Sequence, residues 1–126
     1  MTQKNKELLL KDLCAKLPYG VKVATNNFHN LTLLSVNING IADVAPDNGY
    51  PMEINWEDCK PYLFPISSMT GEQKREYVHI ANKCSTIASS QLAGMTIQDW
   101  FDKNHLDSRG LIPNGLAEDA TGKNIY

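Results

Sequence analysis

The feature that most constrains this chain is an Asn-Gly pair placed between two apolar segments. Asn39 and Gly40 follow residues 33–38 and precede residues 41–44, and both segments are rich in aliphatic side chains. Asn-Gly between such segments is the strongest short-range signal for a β-hairpin, because the tight turn needs positive φ angles that these two residues adopt readily. The sequence therefore predicts an antiparallel hairpin in the first half of the chain.

Further strand signals surround this hairpin. Val21 and Val23 indicate a strand before it, and residues 50–57 show the cleanest alternation of apolar and polar side chains. Two prolines bracket residues 62–64, so we expect at most a short edge strand there. Residues 20–65 thus predict four or five antiparallel strands, arranged as a small SH3-like β-barrel or as a single curved sheet packed by helices.

Helical patterns flank this predicted sheet, which makes the expected fold α+β. Residues 1–17 place Leu8, Leu9 and Leu13, with Ala15 or Lys16, on one face, as an amphipathic helix requires. Residues 70–116 are predicted to be a helical segment, opening with the capping box formed by Thr70 and Gln73. We expect the tail, residues 117–126, to fray.

Length and composition fit a single domain over residues 1–126. The chain is 42% hydrophobic and 21% charged, which is typical of globular proteins, and its net charge of −2 provides no global attraction to nucleic acid or anionic membrane. No apolar run approaches the ~20 residues that span a bilayer, and the first residues lack a secretory pattern. Three cysteines without short spacing favour reduced thiols. We therefore expect a cytoplasmic protein.

Charge is unevenly distributed along the chain. Residues 1–24 contain five lysines and two acids, for a net charge of +3, whereas residues 25–59 contain five acids and no base, for −5. This asymmetry is explained most simply by solvated faces, and the alternative is internal complementarity or a polar surface for a partner. The acids of the second segment are Asp43, Asp47, Glu53, Glu57 and Asp58.

Patterns that would indicate catalysis are weak. The histidines and cysteines lack the spacing of a metal site, and the glycines form no phosphate-binding loop, so no metal or cofactor is predicted. The densest polar cluster spans residues 102–110, where His105, Asp107 and Arg109 offer a possible acid–base or anion-binding site. The simpler interpretation is a helix C-terminus followed by a loop held by an Asp107–Arg109 contact or by a contact of Arg109 with a backbone carbonyl. Tyr62 is a candidate aromatic contact for a peptide or oligonucleotide.

Three segments, residues 11–23, 59–70 and 104–117, resemble a family of uncharacterised small proteins encoded by gut anaerobes and their phages or prophages. The family's usual tyrosine before the Arg-Gly step is Ser108 in this chain. The resemblance implies a cytosolic product of a mobile element and supplies no activity. The segments to which it draws attention are Lys60–Pro65 and Asp107–Gly110.

These observations favour a non-enzymatic protein-binding or adaptor module of a phage or mobile element. The alternative is a nucleic-acid-associated accessory protein that uses the barrel face and the N-terminal lysines, although the negative charge of residues 25–59 disfavours nucleic acid. A small hydrolase or transferase ranks third. No catalytic residue, metal, cofactor or membrane contact is predicted. The candidate binding residues are Lys60, Tyr62, His105, Asp107 and Arg109.

Overall fold

The chain has an α+β fold, as its sequence predicts. A computed structural model describes residues 2–37, 39–84 and 97–126, without the side chains of Lys83 and Cys84. An N-terminal helix packs on a curled, six-stranded sheet, and further helices follow. The elements are α1 (Gln3–Lys16), β1 (Lys22–Ala24), β2 (Leu31–Val36), β3 (Ile41–Pro46), β4 (Met52–Asn55), β5 (Lys60–Leu63), α2 (Gly71–Cys84), α3 (Ile97–Lys103) and β6 (Glu118–Asp119), with short 3-10 turns at Leu17–Tyr19, Trp56–Asp58 and Ile66–Ser68.

The sheet is an open half-barrel. Its strand order is β4-β3-β2-β1-β5-β6, and every neighbouring pair is antiparallel except β5 and β6. The two edge strands, β4 and β6, are not paired with each other. Of the two predicted arrangements, the sheet therefore takes the curved, open one.

The predicted hairpin is confirmed as β2 and β3. The carboxamide oxygen of Asn37 accepts hydrogen bonds from the backbone N–H groups of Asn39, at 2.9 Å, and Ile41, at 3.2 Å. Such a side-chain turn satisfies backbone donors that the ladder cannot reach. Further along β2, the register shifts between Leu33 and Ser35, which indicates a bulge.

The prediction of an edge strand around residues 62–64 is wrong, because β5 lies inside the sheet. β1 pairs with Lys60 and Pro61, whereas β6 pairs with Tyr62 and Leu63. The two neighbours thus cover different halves of β5. Pro61 lacks an N–H donor and lies outside the half that β6 covers, so an interior strand tolerates it.

The C-terminal tail, residues 117–126, is packed against the sheet where we expected fraying. Ala120 is buried, and its N–H donates to the carbonyl of Leu63 at 2.8 Å. The Tyr126 hydroxyl accepts a hydrogen bond from the Lys22 N–H at 2.8 Å and donates to the Tyr62 carbonyl at 2.9 Å. A two-residue strand leaves no periodic signal from which this packing could have been predicted.

The helices begin as their sequences indicate. The Thr2 hydroxyl accepts from the N–H of Asn5 and caps α1. The predicted capping box is confirmed: the Gln73 N–H donates to the Thr70 hydroxyl at 3.1 Å, and the Thr70 N–H donates to the Gln73 side chain at 3.0 Å. None of the described helices is long and apolar enough to cross a membrane.

The predicted helical segment, residues 70–116, is only partly helical. Residues 85–96 lie outside the described residues. After α3 ends, residues 104–117 form turns, and His105 and Gly110 have positive φ angles that a right-handed helix excludes. The turns close the core between α1 and the inner face of the sheet. That core contains Leu9, Leu13, Val21, Val23, Leu31, Leu33, Ala42, Val44, Trp56, Cys59, Leu63, Leu111 and Leu116.

Candidate functional site

Four charged side chains meet in the interior where α1, α3 and the following loop converge. Lys16 Nζ contacts Asp12 one helical turn away and lies 3.0 Å from Asp102 Oδ1. Arg109 Nη1 lies 2.8 Å from Asp12 Oδ1 and 2.8 Å from Asp102 Oδ1. We call these four residues the ionic network. Two acids and two bases balance its charge, which is the condition under which buried ions are tolerated.

The electrostatics of the ionic network favour the charged forms of Asp102 and Arg109. Burial alone would raise the pKa of Asp102, but hydrogen bonds from Arg109 and Lys16 outweigh burial and hold that pKa below its ordinary 3.8. Burial opposes the charge of Arg109 as well, yet its bonds to Asp102 and Asp12 raise the Arg109 pKa above its ordinary value. Neither group is poised to exchange protons near neutral pH, so the network is suited to fixing α1 against the C-terminal half.

Asp107, a predicted site residue, organises its own loop. Its carboxylate is buried and accepts the N–H groups of Leu111, at 2.7 Å, and Ile112, at 2.9 Å. Arg109 has different partners, the two acids of the ionic network. The structure therefore places these neighbours in two separate sets of contacts.

His105, the third residue of the predicted cluster, is held by two aromatic residues. Its Nε2 lies 2.9 Å from the Tyr19 carbonyl, and its ring stacks on Tyr126 with centroids 3.8 Å apart. Burial lowers the pKa of His105 below 6.5, and the charge of Lys16 adds to this effect, although the hydrogen bond to Tyr19 opposes it. The ring is therefore neutral at pH 7, and Nε2 donates its proton to the carbonyl, which can only accept.

The remaining predicted residues, Tyr62 and Lys60, lie on β5 and differ in exposure. Tyr62 is buried, and its carbonyl accepts the hydroxyl of Tyr126, so Tyr126 connects Tyr62 to the ring of His105. Lys60 is exposed opposite Ala24 at the start of β5. Tyr126 thus links Tyr62 to His105, whereas Lys60 lies apart from them.

A different region of the molecule, the edge strand β4, is open on one side. The Trp56 N–H donates to the Gly40 carbonyl at 3.1 Å, so these two residues form a hydrogen-bonded pair. Ile54 and Ala42 are paired two positions further along the same ladder. Hydrogen-bonded pairs alternate along an antiparallel ladder, so Ile54 directs its backbone groups to β3. Glu53, which lies between the bonded positions Ile54 and Met52, directs both its N–H and its carbonyl away from β3. These groups form a free backbone edge.

Two acidic residues are cross-strand partners next to this free backbone. Asp43 and Glu53 are directly opposite each other on β3 and β4, in a pair whose backbone groups are not bonded to each other, where side chains approach closely. Both occupy the outer face, because Ala42 and Val44 on either side of Asp43 are buried. The Ser35 hydroxyl donates to Asp43 Oδ2 at 2.7 Å.

The internal complementarity expected from the uneven charge exists for two of the five acids. Glu57 lies 3.4 Å from Lys6, and Asp47 lies 3.0 Å from Lys22. Within the described part of the chain, no ion pair involves the other acids. These are Asp43, Glu53 and Asp58, which we call, together with the free backbone of β4, the acidic edge.

A small pocket lies beside the acidic edge, on the inner side of β4. Its volume is about 160 Å³, and Ile54 forms one wall while the loop after β1 forms another, with Phe28 48% exposed. Pockets for small molecules typically measure ~300–1,000 Å³, so this one fits a single side chain better than a metabolite. The residues that line this edge pocket are Thr25, Asn26, Asn27, Phe28, Ile54 and Asp58.

Sequence reasoning identified the acids of the edge only as part of a charge imbalance, and it did not identify the ionic network. One signal for the network was present: Asp12 and Lys16 are four residues apart and in helical phase with Leu9 and Leu13 on the buried face of α1. Comparisons with protein-family models, curated proteins and solved structures found no match for this chain.

Proposed function

We propose that this chain is a non-enzymatic protein-binding module, an adaptor whose partner contacts the acidic edge. The observation that carries this proposal is that carboxylates without an ion-pair partner and the free backbone groups of β4 occur together at one edge of the sheet. The cytoplasmic, mobile-element setting implied by the sequence resemblance belongs to the same proposal.

The engagement of the other charged groups supports a binding role over catalysis. Asp102 and Arg109 neutralise each other, Asp107 caps backbone donors, and His105 is bonded and stacked. A catalytic acid or base needs a free position within hydrogen-bond reach of a substrate. The acidic edge offers its groups to an external partner instead.

The same contacts make the alternative, a nucleic-acid accessory protein, less suitable. Lys16 is buried in the ionic network, and Lys6 and Lys22 are paired with Glu57 and Asp47. The phosphate backbone of a nucleic acid is bound by exposed lysine and arginine side chains, and it is repelled by carboxylates such as those of the acidic edge.

The test is a tagged pull-down from nuclease-treated lysate of the native host, comparing three proteins. These are the natural chain, an edge variant with Asp43→Asn and Glu53→Gln, and a control variant with Glu72→Gln and Glu76→Gln on exposed positions of α2. We expect one stoichiometric protein to be recovered with the natural chain and the control, at least fivefold less with the edge variant, and less at high salt. A parallel pull-down uses lysate without nuclease. Equal recovery with all three proteins, or a partner recovered only from the untreated lysate, would contradict the proposal.

A further inference from the structure

We infer that β4 binds an extended segment of the partner as an added strand, and that this segment alternates basic with apolar side chains. This inference rests on the proposed function and specifies the chemistry of the partner.

The backbone of β4 determines the mode of binding. Glu53 presents one donor and one acceptor away from β3, and the N–H of Asn55, two residues further, points the same way. An extended peptide placed alongside satisfies these groups with its own N–H and carbonyl groups, as strand addition requires. A helical segment has no free backbone groups to offer here.

The two faces of β4 determine the side-chain pattern of the partner. On the outer face, Asp43 and Glu53 favour lysine or arginine at positions that lie beside them. On the inner face, Ile54 and the exposed ring of Phe28 border the edge pocket, which favours an apolar side chain. Successive residues of a strand point to opposite faces, so a basic–apolar alternation with a period of two fits both surfaces.

The same charges argue against a second copy of this chain as the occupant. Antiparallel pairing of two β4 strands brings Glu53 of one copy beside the acidic edge of the other. Like charges directly opposite each other destabilise a strand pair. A basic segment of a different protein removes this repulsion and gains attraction.

The probe for this inference is an eight-residue synthetic peptide that alternates lysine and valine, added to the ¹⁵N-labelled chain. We expect amide resonances of Glu53 and Asn55 to shift, and their hydrogen exchange to slow at least tenfold, whereas the amide of Ile54, already bonded to β3, changes little. A peptide of the same composition with lysines and valines in separate blocks should bind at least fivefold more weakly.

N-methylation of the peptide separates backbone pairing from charge attraction. Alternate N–H groups of a strand point to opposite edges, so methylating one alternate set should weaken binding about tenfold, and methylating the other set should leave it unchanged. In the chain, Glu53→Pro removes an N–H that β3 does not use, and it should weaken binding more than Glu53→Gln, which keeps that N–H. If Glu53→Pro fails to fold, the methylated peptides still decide the result.

Strand addition would be overturned if the two methylated sets weakened binding equally. It would also be overturned if the peptide did not slow hydrogen exchange at Glu53 and Asn55. If the edge variant nevertheless loses its native partner in the pull-down, the proposed function stands and only the binding mode is wrong. If neither experiment depends on the acidic edge, both fail.

Discussion

Arg109 Nη1 lies 2.8 Å from Asp12 Oδ1, and this contact joins residues separated by 97 positions in the chain. Lys16 and Asp102 complete the ionic network around it. Because Asp12 and Lys16 have fully buried side chains, the network fixes α1 against α3 and the loop that follows it.

We predict that Lys16→Met strongly destabilises the protein. The substitution leaves two buried carboxylates with only Arg109 as a counter-charge, and removing one partner of a buried ion pair typically costs about 3–5 kcal/mol. This is a large share of a total free energy of unfolding of ~5–15 kcal/mol. Denaturant-induced unfolding measures the change.

The matched control is Lys11→Met, an exposed position on the same helix, which should change the free energy of unfolding by less than ~0.5 kcal/mol. A double variant, Lys16→Met with Asp12→Leu, removes one charge of each sign and should recover part of the loss. If Lys16→Met and Lys11→Met have equal effects, the network does not contribute in the way described.

We predict that His105 makes the fold less stable as the pH falls below about 6.5. Burial lowers the pKa of His105 in the folded state, so the unfolded chain binds the proton more readily. The stability that depends on a neutral ring is complete above the unfolded pKa of about 6.5 and declines as the pH falls toward the folded pKa. Free energies of unfolding measured between pH 8 and pH 5 should show this slope.

The variant His105→Asn should lack this slope, and asparagine suits the positive φ of 56° at the position. His29→Asn, at an exposed position, should keep the slope and serves as the control. A second loss is expected only in stronger acid, because the pKa of Asp102 is held below 3.8 in the fold and its contribution disappears as the pH falls through that lower value. A His105→Asn protein with the natural slope would refute the assignment.

The parts of this fold that could be predicted from sequence are those with local causes. Asn39-Gly40 indicated the hairpin and Thr70 with Gln73 indicated a helix start, because a turn or a cap depends on residues that are adjacent in sequence. Tyr126 could not be predicted to contact Tyr62, 64 positions away, since nothing local marks that contact.

For the candidate site, the sequence predicted only an excess of acidic residues and not their arrangement. The excess of acid in residues 25–59 was evident, yet the pairing of strands decides which acids meet lysines and which remain unpaired. Asp47 reaches Lys22, whereas the register of β3 and β4 sets Asp43 against Glu53. The ion pairs of Lys16 could not be predicted for a related reason: a charged residue is expected in solvent unless its partners are known, and Asp102 comes from a distant helix.

We predict that Glu53→Gln stabilises the fold while weakening partner binding. Asp43 and Glu53 repel each other across the strand pair, and relieving a like-charge cross-strand pair should raise the free energy of unfolding by about 0.2–1 kcal/mol at low salt. Salt near 1 M shortens the screening length to ~3 Å and should remove most of this gain.

Glu76→Gln on α2, also exposed, should show no comparable salt-dependent gain. A site maintained for binding at the expense of stability should show these opposite effects in one variant. If Glu53→Gln is neutral or destabilising at low salt, the two carboxylates do not repel each other measurably, and the stability cost assigned to this pair is absent.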